Sequence, residues 1–184
     1  MNLLLVGLNQ KTASLELREK LAGLIPDLPA VYRSLKDFPE IAEIILYSTC
    51  NRVELLCLAE EPAAALERLR AFISGAPEVS PEALSASLYQ HQGPEAVRHL
   101  FRVAASLDSM VLGEPQILGQ IKEAYRQATE QQATGPVLNR LLHKAFSVAK
   151  RVRTETGIGD HAVSVSYIAV GLARKVFGEL AGMT

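Results

Sequence analysis

Three times in its second half the chain sets a glycine just ahead of a proline, at Gly93-Pro94, Gly113-Glu114-Pro115 and Gly135-Pro136, and then spaces apolar residues three and four apart. Proline at the first helical position costs nothing, because the N–H it lacks has no partner there, so each of these points is a helix start. The first predicted helix aligns Ala96, Val97, Leu100, Phe101 and Ala104 on one stripe. The second aligns Ile117, Leu118, Ile121, Ala124, Tyr125 and Ala128, leaving Gln116, Gln120, Glu123 and Gln127 on its polar face. The third runs from Pro136 to about Thr154, and a fourth spans about 162–178. That last helix has two apolar stripes, one through Val165, Ala169, Leu172 and Val176, the other through Val163, Tyr167, Val170 and Phe177. It needs cover on two sides, from this domain and from something the chain lacks.

The first half has a different period. Residues 2–8, 41–48 and 53–59 are short β-branched or leucine-rich runs, and residues 83–90 alternate as a fourth strand would. Between them, residues 13–22, 29–36 and 62–73 read as amphipathic helices, the first capped by Thr12 or Ser14. Residues 48–52, Ser-Thr-Cys-Asn-Arg, have the composition of a hairpin tip. The resulting order, β, α, β, β, α, β, predicts an α+β fold: a ferredoxin-like (split βαβ) head over residues 1–92, then a helical subdomain over 93–160.

With 48% of residues hydrophobic, 21% charged and a formal net charge of −1, the 184 residues carry ample material for a folded core and no chain-wide basic signature. The apolar runs are of strand length, and the start has neither a basic segment nor a small-residue cleavage site, so the expectation is a cytoplasmic protein without a membrane span. Two cysteines are too few for a disulfide framework.

Cys50 stands out chemically. A thiol at a polar hairpin tip, two residues before Arg52, is reachable and electrostatically favoured as a thiolate; the alternative is a structural cysteine. Cys57 shares a strand face with Val53 and Leu55 and is expected to be buried. His99, beside Val103 and Ser106 on its helix, suits a half-buried imidazole, either a satisfied core-edge side chain or an acid–base group. His91 and His143 are weaker candidates, and no histidine or cysteine is spaced for a metal. Residues 108–116 place polar groups at a helix start, and Gln116 and Gln120 lie four apart on one face, where both could hydrogen-bond a ligand. Gly157-Ile158-Gly159-Asp160-His161-Ala162 matches the spacing of a dinucleotide fingerprint but follows a helix instead of a strand, so it reads as a helix cap and loop. Arg140, Lys144 and Arg151 form one basic stripe, able to track phosphates or simply to be solvated.

Several segments together resemble one family: residues 48–54, Ser-Thr-Cys-Asn-Arg-Val-Glu; 100–110, Leu-Phe-Arg-Val-Ala-Ala-Ser-Leu-Asp-Ser-Met; 112–122, Leu-Gly-Glu-Pro-Gln-Ile-Leu-Gly-Gln-Ile-Lys; 162–167, Ala-Val-Ser-Val-Ser-Tyr; and the opening 7–13, Gly-Leu-Asn-Gln-Lys-Thr-Ala. In this order they are similar to the N-terminal catalytic domain of glutamyl-tRNA reductase. The resemblance implies NADPH-dependent reduction of glutamyl-tRNA(Glu) to glutamate 1-semialdehyde, the step that feeds 5-aminolevulinate and tetrapyrrole (porphyrin) biosynthesis. It places the nucleophile at Cys50, forming a glutamyl thioester, and gives His99 a part in catalysis. The glutamyl group would be held by Thr49, Asn51, Arg52, Ser109, Glu114, Pro115, Gln116 and Gln120. By charge, Arg52 suits the side-chain carboxylate and Glu114 the α-ammonium. The family continues into an NADPH-binding domain and a dimerisation domain joined by a spinal helix. Residues 1–160 would then be the catalytic domain and 161–184 the start of that helix, with NADPH bound outside this chain, a homodimer in the full-length family, and an aminomutase as the partner that takes the product. Alone, the chain would be competent only as an esterase. The alternatives are a non-enzymatic tRNA-binding module using Arg140 and Lys144, and a hydrolase built from Cys50 and His99.

Overall fold

A computed structural model describes residues 2–23, 25, 27–75, 79–158 and 165–178. The elements run β1 (Asn2–Asn9), α1 (Leu15–Ala22), α2 (Leu28–Lys36), β2 (Ile41–Ser48), β3 (Arg52–Ala59), α3 (Pro62–Ser74), α4 (Pro81–Ser87), β4 (Tyr89–Gln92), α5 (Pro94–Ala104), α6 (Gln116–Glu130), α7 (Pro136–Glu155) and α8 (Val165–Phe177). The mixed α/β expectation holds. One antiparallel sheet has the order β2-β3-β1-β4.

The hairpin β2–β3 pairs Ser48 with Val53, and β1 lies against β3 from Asn2↔Ala59 to Asn9↔Arg52. The end of β1 therefore arrives beside the hairpin tip. Every residue of β3 is buried, as a central strand covered on both faces requires. Leu4, Leu5, Leu8, Ile44, Ile45, Leu55 and Leu56 are at most 1% exposed, and each contributes roughly 1.5–3 kcal/mol by leaving water. Tyr32 joins them with its hydroxyl satisfied, in a hydrogen bond from the Leu46 N–H at 3.1 Å.

Local chemistry sets most boundaries. The Ser14 hydroxyl accepts from the Leu17 N–H at the start of α1, and Asp27 caps α2 through Ala30. Gly93, in the left-handed region at φ 53°, turns β4 into α5. The predicted fourth strand is corrected. Ser80 caps Pro81–Ser87 as a helix, and β4 occupies only Tyr89–Gln92. The alternation of Leu84, Ala86 and Leu88 gave the wrong period, since of the three only Leu84 is buried.

The start of α7 is stabilised from a distance. Its cap position is Gly135, which has no side chain to offer, and the Glu43 carboxylate of β2 accepts from the Val137 and Leu138 N–H groups at 3.1 and 2.7 Å. A buried anion there meets both the free donors and the positive end of the helix dipole.

The two-sided cover expected for the last helix is not seen. Val170, Leu172, Val176 and Phe177 are 46–65% exposed, while the side chains of Val163, Val165 and Tyr167 lie outside the described residues. No described helix is long and apolar enough to cross a membrane.

Candidate active site

The β2–β3 tip is a tight turn of three residues, Thr49 to Asn51. The Thr49 hydroxyl accepts from the N–H groups of Asn51 and Arg52 at 3.1 and 3.2 Å, and the Thr49 N–H donates to the Arg52 carbonyl at 2.8 Å. This self-bonded turn projects Cys50, which is exposed. Two neighbours brace it. The Gln10 N–H donates to the Asn51 carbonyl at 2.9 Å, and the buried Arg18 donates from Nε to the Cys50 carbonyl at 3.1 Å and from Nη1 to the Ala13 carbonyl at 2.7 Å.

A pocket of about 250 Å³ opens beside the thiol. Thr49, Cys50, Asn51 and Arg52 form one side; Ser109, Met110, Glu114, Gln116, Ile117 and Gln120 form the other. That volume fits an amino-acid-sized group and is below the range of sites for drug-sized ligands. Of the site residues that the family resemblance implies, all but Pro115 and His99 line it; Pro115 stands at the cap position of α6.

The second wall is a loop held in an unusual shape. Ser106 is buried at φ 59°, and its hydroxyl donates to the Glu114 carbonyl at 2.5 Å. Gly113, at φ 78°, presses against the Ile158 carbonyl so closely that a β-carbon there would lie 2.0 Å from it. The Arg153 guanidinium donates to the Gly113 carbonyl at 2.8 Å. So anchored, the loop presents the Glu114 carboxylate, which is 8% exposed and has no hydrogen-bond or ion-pair partner among the described residues. A carboxylate that lines a pocket with no counter-charge beside it can receive a cation.

Arg52 links the pocket to a buried polar cluster. It is 1% exposed; Nη1 donates to Glu54 at 2.5 Å, and Nη2 donates to the Asp108 carbonyl at 2.5 Å and its carboxylate at 3.2 Å. Lys11 pairs with the same Asp108 carboxylate from the surface. Glu54, wholly buried, also accepts from the Tyr47 hydroxyl, from the Tyr89 hydroxyl at 2.5 Å and from His99 Nε2 at 3.0 and 3.1 Å. Burial alone would raise the Glu54 pKa. The hydrogen bond and charge interaction with His99, then Arg52 and the Tyr47 hydroxyl, outweigh it and hold the carboxyl at about 2. The same burial, with the Glu54 charge, pushes the Tyr47 and Tyr89 hydroxyls up. His91 stacks on His99 with ring centroids 4.7 Å apart; burial, then the charge of its neighbour, lowers its pKa.

His99 is thus half-buried, as expected, but the cavity lined by Cys50 is not where its described contacts lie. Cys57 is buried, and burial pushes its thiol up to about 12. Arg140 and Lys144 are exposed, and Arg151 is paired with Glu155. These two cations, unpaired among the described residues, flank a cleft against Leu3, six residues along β1 from Asn9. At the rise of a strand, that is roughly 20 Å from the Cys50 tip. Gly159, Asp160, His161 and Ala162 of the fingerprint-like segment lie outside the described residues; Gly157 and Ile158 follow a helix.

Sequence reasoning missed Glu54, Tyr47, Tyr89 and Arg18. A signal for the first existed: Arg52 and Glu54 are charged residues two apart within an otherwise apolar strand, so they share one face and both are buried.

Residues 6–156 match the family model for the N-terminal domain of glutamyl-tRNA(Glu) reductase. The chain belongs to the glutamyl-tRNA reductase family. It is 55% identical over 184 residues to the glutamyl-tRNA reductase of Geobacter sulfurreducens and 53% identical over 180 residues to that of Desulfatibacillum aliphaticivorans, covering 100% and 98% of the chain. The fold is similar to that of the glutamyl-tRNA reductase from Methanopyrus kandleri, with a TM-score of 0.72 and 32% identity over 96% of this chain. The chain spans 42% of the length of the two sequence relatives and 40% of the solved one. What it matches is therefore the N-terminal part of a glutamyl-tRNA reductase.

Proposed function

We propose that this chain performs the acyl-transfer half of glutamyl-tRNA reduction. The Cys50 thiolate attacks the ester carbonyl of glutamyl-tRNA(Glu), the bond to the terminal ribose oxygen breaks, that oxygen takes up a proton, and a glutamyl thioester remains on Cys50. A thioester is activated toward hydride, so its reduction would give glutamate 1-semialdehyde for tetrapyrrole synthesis. One observation carries the reading: an exposed thiol at the mouth of an amino-acid-sized pocket that is also lined by Glu114, an acidic residue without an ion-pair partner among the described residues.

In this reading Glu114 takes the α-ammonium of the glutamyl group. Arg52, fixed by Glu54 and Asp108 with Nε left over, takes the side-chain carboxylate, Thr49, Asn51, Ser109, Gln116 and Gln120 complete the enclosure, and Pro115 holds the start of α6 beside it. His99 acts through Glu54 on the position of Arg52. NADPH is the hydride donor implied by the family. In this reading it is held by residues outside this chain. The strand order supports a ferredoxin-like head over 1–92, which with 93–160 makes one catalytic domain, and α8 reads as the start of a spinal helix in a cytoplasmic enzyme.

The test is to incubate the protein with glutamyl-tRNA carrying radiolabelled glutamate and look for label on the protein after acid quench. Label that survives Cys57→Ser and disappears with Cys50→Ser is expected. Label independent of Cys50, or none on folded protein, would overturn acyl transfer by this chain.

A further inference from the structure

Asn9 closes the turn that follows β1. Its carbonyl accepts from the Thr12 and Ala13 N–H groups at 3.0 and 2.9 Å, and its side-chain oxygen accepts from the Lys11 N–H at 2.9 Å. Asn9 is itself buried opposite Arg52 in the β1–β3 register, so the turn is fixed to the strand that carries Arg52. It delivers the Lys11 ammonium to the Asp108 carboxylate. The Lys11 side chain is 61% exposed and that of Asp108 only 12%, so the cation stands between solvent and a largely covered anion, and it does not line the pocket.

That placement sets the charge at the Arg52 end of the pocket. Arg52 bonds two carboxylates, Glu54 and Asp108, so one positive charge faces two negative ones. Burial would raise the Asp108 pKa, but the hydrogen bonds from Lys11 and Arg52 outweigh it and hold the pKa below its ordinary value, so Asp108 is ionised near neutral pH. His99 bonds Glu54 and adds a charge only when protonated. Arg18, the other cation near the tip, is bonded to the Cys50 and Ala13 carbonyls. The pocket's third acidic residue, Glu114, meets the α-ammonium in the reading above and leaves the balance at Arg52 unchanged. Without Lys11, an incoming carboxylate would approach a guanidinium whose charge is already more than offset, inside a cavity that screens the repulsion poorly.

We propose that Lys11 is a specificity-determining residue: by offsetting Asp108 it leaves the Arg52 guanidinium able to attract an anionic acyl side chain, and so selects glutamyl over glutaminyl donors. The inference rests on Arg52 taking the side-chain carboxylate. Lys11 touches no part of the acyl group; its charge acts through Asp108.

Two probes of nearly the same shape test it, glutamic acid α-methylamide and glutamine α-methylamide, titrated calorimetrically into wild type, Lys11→Met, Lys11→Arg and the double variant Lys11→Met/Asp108→Asn. Wild type should prefer the glutamyl probe. Lys11→Met, which keeps an unbranched stem, should weaken the glutamyl probe by about five- to tenfold and the glutaminyl probe by less than about twofold. Because an exposed pair adds little to stability, its unfolding midpoint should stay near that of wild type. Lys11→Arg returns a cation to Asp108 and should restore the preference. The double variant removes both charges while keeping the Asp108 backbone carbonyl that also holds Arg52, and should recover most of the preference, which a purely mechanical tie between Lys11 and Asp108 would not allow. Equal losses for the two probes, no loss in Lys11→Met, or a double variant no better than Lys11→Met would each overturn the inference. Equal binding of the two probes to wild type would instead strike the assignment of Arg52 to the side-chain carboxylate, and this inference with it.

Discussion

His99 Nε2 stands 3.0 and 3.1 Å from the two carboxylate oxygens of Glu54, a side chain with no exposed surface. The same carboxylate binds Arg52, and Arg52 lines the pocket beside Cys50. A group on α5 therefore bears on the substrate side of the hairpin through one buried anion, and the consequences can be measured.

Glu54 should dominate acid sensitivity. Its carboxyl is held at about 2 in the folded protein, below its ordinary value of 4.5, so the stabilisation is fully present above about pH 4.5 and is lost as pH falls toward 2. Glu54→Gln should cost about 3 kcal/mol near neutral pH, because it leaves Arg52 buried beside a neutral group. It should also flatten the decline of stability between pH 4.5 and 2, as urea unfolding across that range would show.

Gly7 makes room for that carboxylate. It lies opposite Glu54 in the β1–β3 register, and a β-carbon there would come within 2.6 Å of both Glu54 Cγ and the Val53 carbonyl. Gly7→Ala must displace the strand or the anion, at a cost of about 1–3 kcal/mol. Labelling of Cys50 by glutamyl-tRNA should fall more steeply than the folded fraction does, since Arg52 moves with Glu54.

Arg18 should prove to be a positioning residue. Its guanidinium holds the Cys50 and Ala13 carbonyls together, tying α1 to the tip. Arg18→Ala is expected to slow acyl transfer to Cys50 by about ten- to a hundredfold, the usual result of a misplaced nucleophile. Amide exchange at Thr49 and at Gln10, which donates to Asn51, should accelerate in parallel. Unchanged exchange with slowed transfer would point away from positioning.

Glu43 is the remote cap of α7. Removing its carboxylate in Glu43→Ala leaves the part-buried Val137 and the buried Leu138 N–H groups without this acceptor, and should cost about 2 kcal/mol in denaturant unfolding. Glu43→Gln, which keeps an acceptor oxygen but loses the charge, should recover about half.

The sequence by itself determined the parts that obey local rules. Gly93-Pro94 and Gly135-Pro136 mark helix starts because an N-terminal proline loses nothing, and Gly113-Glu114-Pro115 marks another with Pro115 at its cap. The Ser48–Arg52 stretch marked the tip that carries Cys50, and period two buried Cys57. The motif segments brought the pocket's two walls into view through resemblance, even though their residues stand some sixty positions apart. Local rules misread residues 83–90, where a capping serine outweighed an apparent alternation. Only the tertiary structure decided which buried charges meet: Arg18 with the Cys50 carbonyl across 32 residues, His99 with Glu54 across 45, Glu43 with the start of α7 across 95. Hydrophobic period tells each segment which face to bury, and says nothing about which distant donor will stand opposite a buried carboxylate. That choice falls to the strand order and register that pack β1 against β3 and bring α5 and α7 onto the sheet, because a charge removed from water is tolerated only where the fold supplies its partner.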